Sequence, residues 1–322
     1  MNRRQFFLSC LVAAGWSLAA AVPAQGLYPE RPIRIVVPFT PGGANDVLAR
    51  LVAPPLQARL GQPVVVDNKP GAGGHIGGDF VAKSPADGYT LLLAQNGQTI
   101  APWLEKNLSY DPMSMAPVTI ATTLPILAAV NISLPVTSFN ELIAYARANP
   151  GKLSYATPGN GTPQHLGTEL LLSMTGTQMV MVSYKGNAGM LPDLIAGRVN
   201  LLLNGVMSVL PLAQSGKVRL IGVAERKRLA ALPDLPTIME SLPDYQINFW
   251  FGFMAPSGTP EALTHKLADE LRAILRLADI SERLRKGGFE IAATTPEEMR
   301  AIMRRDYEKW GKVVKTAGIK AE

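Results

Sequence analysis

Residues 155–166, YATPGNGTPQHL, join a short apolar run to a helical pattern through a glycine-rich turn. Thr162 and Pro163 fit the start of a helix, because a threonine N-cap satisfies an orphan N–H group and a proline at the first helical position has none to lose. Backbone N–H groups at such a helix end, approached closely through Gly159 and Gly161, suit a carboxylate or a phosphate. The stretch therefore predicts a strand, a turn and a helix with an anion site at the turn.

The same alternation of apolar strands and amphipathic helices runs along the whole chain of 322 residues, which predicts an α/β protein with mostly parallel sheets. The first group of elements comprises strands at 33–39, 64–66 and 90–94 and helices at 46–60 and 77–83. The second group comprises strands at 126–130, 153–156, 179–182, 199–203 and 220–224 and helices at 138–148, 162–174 and 189–196. A strand from Phe249 and helices at 260–277 and 296–316 close the chain.

Two sheets with a returning C-terminal part predict two lobes joined by two hinge crossings, near 118–125 and 243–253. The expected lobe 1 comprises residues 25–121 and 247–322, and lobe 2 comprises residues 122–246. Ligand sites in open α/β sheets lie beyond the carboxyl ends of the strands, so two such edges are expected to face each other across a cleft.

The first 24 residues are typical of a signal peptide, with a basic start at Arg3 and Arg4, an apolar stretch and a small-residue exit that ends at Ala24. This predicts an exported, periplasmic protein, and the two arginines leave the general secretory and twin-arginine routes both open. Cys10, the only cysteine, lies within this segment. The processed chain is therefore expected to have no disulfide, no catalytic thiolate and no cysteine-bound metal.

Composition and motifs exclude several classes of function. The net charge of +6 is spread over scattered residues and aromatics are only 7%, whereas nucleic-acid binding needs a basic stripe with stacking rings. His75, His165 and His265 lack the paired spacing of a metal site. No G-x-G-x-x-G, G-x-x-x-x-G-K-[ST] or G-x-S-x-G motif occurs, so we expect no metal, no cofactor and no nucleic-acid partner.

The turn after the first predicted strand supplies Thr40, Gly42, Gly43 and Asn45 as candidate ligand contacts. Glycines there let the backbone approach a ligand. Asp46 is better interpreted as a helix cap, because its carboxylate would repel an anion. Asn96 and Gln98 follow the strand TLLLA, where they are either ligand-shaping groups or loop surface.

The second predicted sheet supplies further candidates. They are Thr157, Gly159, Gly161, Thr162, His165, Tyr184 and Asn204. His165 is either a structural histidine or a ligand contact. Lys185 is either a counter-charge or a surface lysine, and Asp193 could cap its helix, pair with a basic residue or meet an amino group. The aromatic run that begins at Phe249 is more typical of core packing than of a cleft.

Several ordered motifs resemble a known family. They are PFTPGGANDVLAR, GQPVVVDNKPGAGGHIGG, PADGYTLLL, YATPGNGTPQHLGTELL, LPDLPTIMES, APSGTPE and KWGKVVKTAGI. Together they resemble the Bug family, the periplasmic solute receptors of tripartite tricarboxylate transporters. The resemblance implies a two-lobed, type II-like periplasmic-binding-protein fold and no cofactor, and we expect a monomer. It also implies capture of a small carboxylated metabolite, mainly by the loops at 40–45 and 157–165, and its delivery to membrane permease subunits.

Two alternatives stay open at this point. An enzyme on the same scaffold would need an acid or base in the cleft, and Asp46, His165 and Asp193 are the only candidates. A sensor partner that presents its ligand to a membrane kinase would share all the binding residues.

Overall fold

The computed structural model of the chain describes residues 28–159, 162–184, 187–247, 249–316 and 318–319, without the side chains of 187 and 188. The predicted signal peptide, Gly161 and Lys185 lie outside these residues. The helices and strands are, in chain order, β1 (Ile33–Val37), α1 (Ala44–Leu60), β2 (Val64–Asn68), α2 (His75–Ala82), β3 (Thr90–Gln95), α3 (Gly97–Leu104), β4 (Ala116–Leu124), β5 (Ile126–Asn131), α4 (Phe139–Ala148), β6 (Ser154–Thr157), α5 (Pro163–Thr175), β7 (Val180–Ser183), α6 (Asn187–Ile195), β8 (Leu201–Gly205), α7 (Val206–Gln214), β9 (Val218–Val223), β10 (Phe249–Ala255), α8 (Glu261–Leu275), α9 (Ala278–Lys286), β11 (Glu290–Ile291) and α10 (Pro296–Thr316).

The strands form two sheets flanked by helices, which confirms the predicted fold class. The first sheet has the order β11-β4-β10-β3-β1-β2, and the second has the order β7-β6-β8-β5-β9. Strands β1, β2 and β3 are parallel, and so are β6, β7 and β8. Both sheets are nevertheless mixed rather than mostly parallel, because β10 is antiparallel to β3 and β4, and β5 is antiparallel to β8 and β9.

Three strands are reversed, β5, β10 and the two-residue β11, and the first two of these follow the two crossings between the sheets. After Leu124 at the end of β4, the chain passes Pro125 and begins β5 at Ile126, which pairs with Gly205 at the end of β8. It returns to the first sheet at Phe249, which pairs with Leu124. A strand that arrives from the other sheet begins where its neighbours end, so it must run the opposite way. The carboxyl ends of the parallel strands in both sheets therefore lie on the side of the crossings.

The first sheet is buried on both faces, which explains why its strands are almost continuously apolar. Ile33, Ile35 and Val37 belong to the main core cluster, whereas Val36 and Leu92 on the opposite face pack in a second cluster. This alternation follows from the two-residue period of a strand. No helix among the described residues is long and apolar enough to cross a membrane.

Candidate functional site

The loop between β1 and α1 is held by a buried carboxylate. Asp46 is 4% exposed and accepts hydrogen bonds from the backbone nitrogen of Gly42 and from Asn68 Nδ2, each at 3.0 Å. Asn68 Nδ2 also donates to the carbonyl of Phe39 at 3.1 Å. The hydrogen bond from Arg50 Nε, at 2.9 Å, lowers the pKa of Asp46 to about 2, and the bond from Gly42 acts in the same direction while burial opposes both. The expectation that Asp46 caps α1 is wrong: Asp46 lies inside the helix, and its carboxylate fixes the preceding loop through the amide of Gly42.

Helix α1 begins at this loop without a side-chain cap. Its N-cap residue is Gly43, and no side-chain hydrogen bond caps the helix there. Thr40, Gly42 and Gly43 are exposed, and Gly42 has a φ of 86°, a conformation that favours glycine. The first N–H groups of an α-helix have no partner within the helix. This end of α1 can therefore receive an anion.

Two asparagines lie at the same edge of the first sheet. Asn45 is buried in the first turn of α1, and its Nδ2 donates to the carbonyl of Leu93 in β3 at 3.4 Å. Asn96 directly follows β3 and is 1% exposed. Its backbone carbonyl accepts a hydrogen bond from the backbone nitrogen of Thr99 at 3.1 Å. Because β1 and β3 are parallel neighbours, Asn45 and Asn96 lie close to the exposed loop that contains Gly43.

A chain of side chains next to this edge was not predicted as a unit. Tyr110 Oη donates to Gln98 Oε1 at 2.6 Å, His75 Nδ1 lies 3.5 Å from Tyr110 Oη, and His75 Nε2 lies 2.8 Å from Glu105 Oε1. Gln98 is 2% exposed, and burial lowers the pKa of His75 although Glu105 opposes this. The sequence singled out Gln98 and His75 separately. No local pattern connects Tyr110 to them, because it lies 12 residues from Gln98 and 35 from His75.

The helix start that opened the sequence analysis is confirmed. Thr162 is the N-cap of α5, its Oγ1 accepts a hydrogen bond from the backbone nitrogen of His165 at 3.4 Å, and Pro163 is the first helical residue. Thr162 Oγ1 also donates to the carbonyl of Gly159 at 2.7 Å and lies 2.9 Å from Thr157 Oγ1. Thr157, Gly159 and Thr162 therefore fix the turn between β6 and α5.

His165 lies in the first turn of α5 and is 4% exposed. Burial lowers its pKa below the ordinary value, and the charge of Glu169 only partly opposes this. Glu169 Oε1 accepts a hydrogen bond from Tyr155 Oη at 2.5 Å. His165 is therefore neutral at pH 7, and a neutral imidazole carries one donor and one acceptor nitrogen.

Asn204 and Tyr184 follow neighbouring strands of the second sheet. Asn204 is 3% exposed near the end of β8, where it pairs with Leu127 of β5. Tyr184 comes directly after β7, but its hydroxyl donates to Asp193 Oδ2 in α6 at 2.6 Å. Burial and this hydrogen bond raise the pKa of Tyr184 to about 12. Asp193 also forms an ion pair with Arg198 at 2.7 Å, which assigns the carboxylate whose role the sequence left open.

The predicted site residues fall into two groups, one at each sheet edge next to the crossings. The first group is Thr40, Gly42, Gly43, Asn45 and Asn96, and the second is Thr157, Gly159, Thr162, His165 and Asn204. Tyr184 lies beside the second group, with its hydroxyl directed to α6. Neither group includes a charged side chain. Backbone amides and neutral side chains held in this way can bind an anion without a salt bridge. In the described part of the chain, no cluster of His, Cys, Asp and Glu could hold a metal ion.

Comparison with known proteins identifies the family. A family model described as the tripartite tricarboxylate transporter family receptor, TctC, matches residues 48–319. The chain is a member of the TctC receptor family. This confirms the resemblance drawn from the sequence motifs.

Three solved structures are similar to this TctC receptor over most of its length. The R. palustris protein Rpa4515 with adipate is 40% identical with a TM-score of 0.82, covering 92% of this chain and 100% of that one. The periplasmic binding protein BugD is 35% identical with a TM-score of 0.79 and the same coverage. MatC from Rhodopseudomonas palustris with bound malate is 29% identical with a TM-score of 0.78, covering 89% and 100%. The TctC receptor thus shares its fold with two-lobed solute-binding proteins.

Proposed function

We propose that this chain is a periplasmic receptor that binds a small organic carboxylate between its two lobes and delivers it to the permease subunits of a tripartite transporter. The observation that carries the proposal is the position of two helix starts, those of α1 and α5, at the two sheet edges beside the crossings. Helix starts of this kind favour negative charge. The family match and the carboxylates bound by Rpa4515 and MatC support the same class of ligand.

In this proposal the carboxylate is held by donors from both lobes. The clamp comprises Thr40, Gly42, Gly43, Asn45, Thr157, Gly159, Gly161, Thr162 and His165, while Asn96, Tyr184 and Asn204 shape the remainder of the ligand. A ligand shifts a conformational equilibrium only by its differential affinity for the two states. Contacts to both lobes at once therefore favour closure around the ligand.

The lobe boundaries and the export route belong to the same proposal. We assign residues 25–121 and 247–322 to one lobe, residues 122–246 to the other, and residues 1–24 to a signal peptide. The periplasmic location named for BugD supports export. We further propose that the receptor acts as a monomer and has no catalytic activity.

Isothermal titration calorimetry of the purified protein with adipate, with malate and with adipamide tests the proposed function. Adipamide keeps the chain length of adipate but lacks its charge, so it separates anion recognition from shape. We expect at least one of the two acids to bind and adipamide to bind at least about 100-fold more weakly, because the loss corresponds to charge-assisted hydrogen bonds. Equal binding of adipate and adipamide would contradict the helix-end clamp.

A mass balance after incubation separates a receptor from an enzyme on the same scaffold. The protein is incubated with the acid that binds, and the acid is then quantified by mass spectrometry. A receptor returns the acid unchanged. Conversion that is lost in a His165→Gln variant would assign an enzymatic activity instead.

A further inference from the structure

Glu225 lies beside both crossings between the sheets. The backbone nitrogen of Ala224 donates to the carbonyl of Ile126 at 2.9 Å, and the carbonyl of Ala224 accepts from the backbone nitrogen of Ile247 at 3.3 Å. Ile126 begins the strand that follows the first crossing, and Ile247 precedes the strand that follows the second. Any rotation of one sheet relative to the other therefore takes place next to Glu225.

Glu225 is half-buried, and one of its two carboxyl oxygens is shut off from solvent in this arrangement. Its Oε1 is shielded from solvent and has no hydrogen-bond partner within the described residues. An ionised carboxylate in such a position pays a large desolvation cost unless it is paired. No ion pair within 4 Å is formed by Glu225 in the part of the chain that the structure describes, so the cost is not offset by a bound cation.

The charged groups that face Glu225 come from elements of the first sheet and its helices. Glu290 lies on β11 and Lys309 on α10, and both act on Glu225 electrostatically. Lys309 Nζ donates to the carbonyl of Gln246, which precedes the return crossing. Arg226, next to Glu225 in the chain, donates through its Nε to Gln246 Oε1 at 2.9 Å.

A second buried carboxyl group lies next to this cluster. Asp306 on α10 accepts a hydrogen bond from Trp250 Nε1 at 2.8 Å and also faces Lys309. Burial raises the pKa of Asp306, although the hydrogen bond from Trp250 and the charges of Lys309 and Arg305 oppose this. Lys309 therefore lies between two carboxyl groups, one on its own helix and one at the crossings.

Burial and the negative charge of Glu290 raise the pKa of Glu225 to about 8, against the weaker opposing effect of Lys309. Glu225 accordingly carries a proton at pH 7 in the arrangement described. If the lobes move so that water also reaches Oε1, or so that Glu290 moves away, the proton is held less tightly.

We propose that Glu225 is a proton-binding site at the crossings. A proton bound there favours the lobe arrangement seen in this structure over a second arrangement, called hydrated below, in which water surrounds the carboxyl group. The proposal rests on the two-lobed fold and does not depend on which solute is bound. Where a carboxylate does bind between the lobes, its affinity becomes linked to pH through the same equilibrium.

The direction of the pH effect follows from the raised pKa of Glu225. Below pH 4.5, the ordinary value, the carboxyl group is protonated in every arrangement and no preference arises from it. Between pH 4.5 and about 8, Glu225 is ionised in the hydrated arrangement and still protonated in the arrangement seen in this structure. The population of the hydrated arrangement, relative to the arrangement seen in this structure, therefore rises by up to about tenfold per pH unit in this window. Above the window the ratio is constant.

Distance measurements between the lobes test the proposal without any ligand. Spin labels are attached at Val65→Cys on β2 and Val180→Cys on β7, which are exposed positions on an edge strand of each sheet. The chain also carries Cys10→Ser, so that no other cysteine is labelled. Double electron–electron resonance at pH 6, 7, 8 and 9 then gives the interlobe distance distribution. The variants compared in this background are Glu225→Gln and, as the matched control, Glu282→Gln on the exposed face of α9.

We expect the unsubstituted background and the Glu282→Gln variant to shift between two distance populations as pH rises from 6 to 8. We expect the Glu225→Gln variant to show no such shift and to favour the arrangement seen in the structure at every pH, because its side chain cannot ionise. A distribution in the unsubstituted background that does not change with pH, or a shift that persists in Glu225→Gln, would overturn the proposal. If Glu225→Gln does not fold, Glu290→Gln provides the test. Removing that charge lowers the pKa of Glu225 in the arrangement seen here, so the shift should level off at lower pH and favour the hydrated arrangement less. A shift that is the same as in the unsubstituted background would overturn the proposal.

Discussion

The Thr162 hydroxyl oxygen accepts a hydrogen bond from the backbone nitrogen of His165 at 3.4 Å, and it donates to the carbonyl of Gly159 at 2.7 Å. One side chain therefore fixes both the start of α5 and the turn before it. This relationship makes Thr162 the residue at which helix stability and the proposed clamp can be separated by experiment.

Replacing Thr162 by alanine should weaken both folding and carboxylate binding. The loss of an N-cap costs about 1 kcal/mol in the free energy of unfolding. Binding should weaken by a further factor of about 10, because the turn that exposes the amides of the helix start is no longer held. Urea unfolding measures the first effect, and calorimetry with adipate measures the second.

Ser138→Ala is the matched control for the Thr162→Ala variant. Ser138 caps α4 through a hydrogen bond from the backbone nitrogen of Glu141 at 3.2 Å, and α4 follows β5 at its end away from the crossings. We expect a similar loss of stability and no change in affinity. Equal losses of affinity in the two variants would indicate a general effect of instability.

Asp46→Asn should destabilise the protein at neutral pH and have little effect in strong acid. The pKa of Asp46 is lowered to about 2 from 3.8, so its ionised form stabilises the fold above pH 3.8 and this contribution is lost as pH falls towards 2. We expect a difference of about 1 to 2 kcal/mol at pH 7, allowing for solvent screening.

Urea unfolding of Asp46→Asn and of the unsubstituted protein at pH 7, 4 and 2.5 tests this dependence. Asp279→Asn replaces an exposed aspartate in the first turn of α9 and serves as the control. A difference for Asp46→Asn that stays constant from pH 7 to 2.5 would show that the carboxylate does not act through its charge.

His165→Gln should reduce the loss of stability on mild acidification. Burial lowers the pKa of His165 below 6.5, so the unfolded chain takes up a proton before the folded protein does. Stability contributed by the neutral imidazole is present above pH 6.5 and is lost as pH falls below it. Urea unfolding at pH 7.5 and 5 should give a smaller difference for His165→Gln than for His265→Gln, whose histidine is largely exposed.

Gly78→Ala should destabilise the first lobe because the added methyl group would overlap the Tyr110 side chain. Overpacking of this kind costs about 1 to 3 kcal/mol. Gly97→Ala is the control, since its methyl group would meet nothing closer than 3.9 Å, at Gln95. That variant should be neutral or more stable by up to about 1 kcal/mol. Thermal unfolding followed by circular dichroism distinguishes the two variants.

Local sequence signals predicted much of the fold. The Thr162 and Pro163 start of α5 and most of the apolar strands were identified correctly, because caps and strand runs act over a few residues. Strand β4 was missed because residues 118–125 were interpreted as the first crossing, and the two-residue strand β11 was missed as well. The short helices α3, α7 and α9 were not predicted. Pro102 lies inside α3 and Pro211 inside α7, and proline usually indicates a break rather than a helix.

Strand direction and long-range contacts could not be predicted from the sequence. The apolar run IATTLPILAAV contains the end of β4, the crossing at Pro125 and most of β5, and nothing in its composition indicates that β5 is reversed. The candidate residues at strand ends were recognisable as polar groups after apolar runs. Their partners, such as Asn68 for Asp46 at a separation of 22 residues, depend on tertiary packing.

Helices α1 and α5 both begin beside the crossings, and both present the positive end of a helix dipole there. If these ends face each other across the proposed cleft, their like partial charges repel each other while it is empty. A negatively charged solute therefore does more than add attraction, because it also cancels this repulsion. In that geometry an uncharged molecule of the same shape leaves the repulsion in place, so closure gains from contact alone.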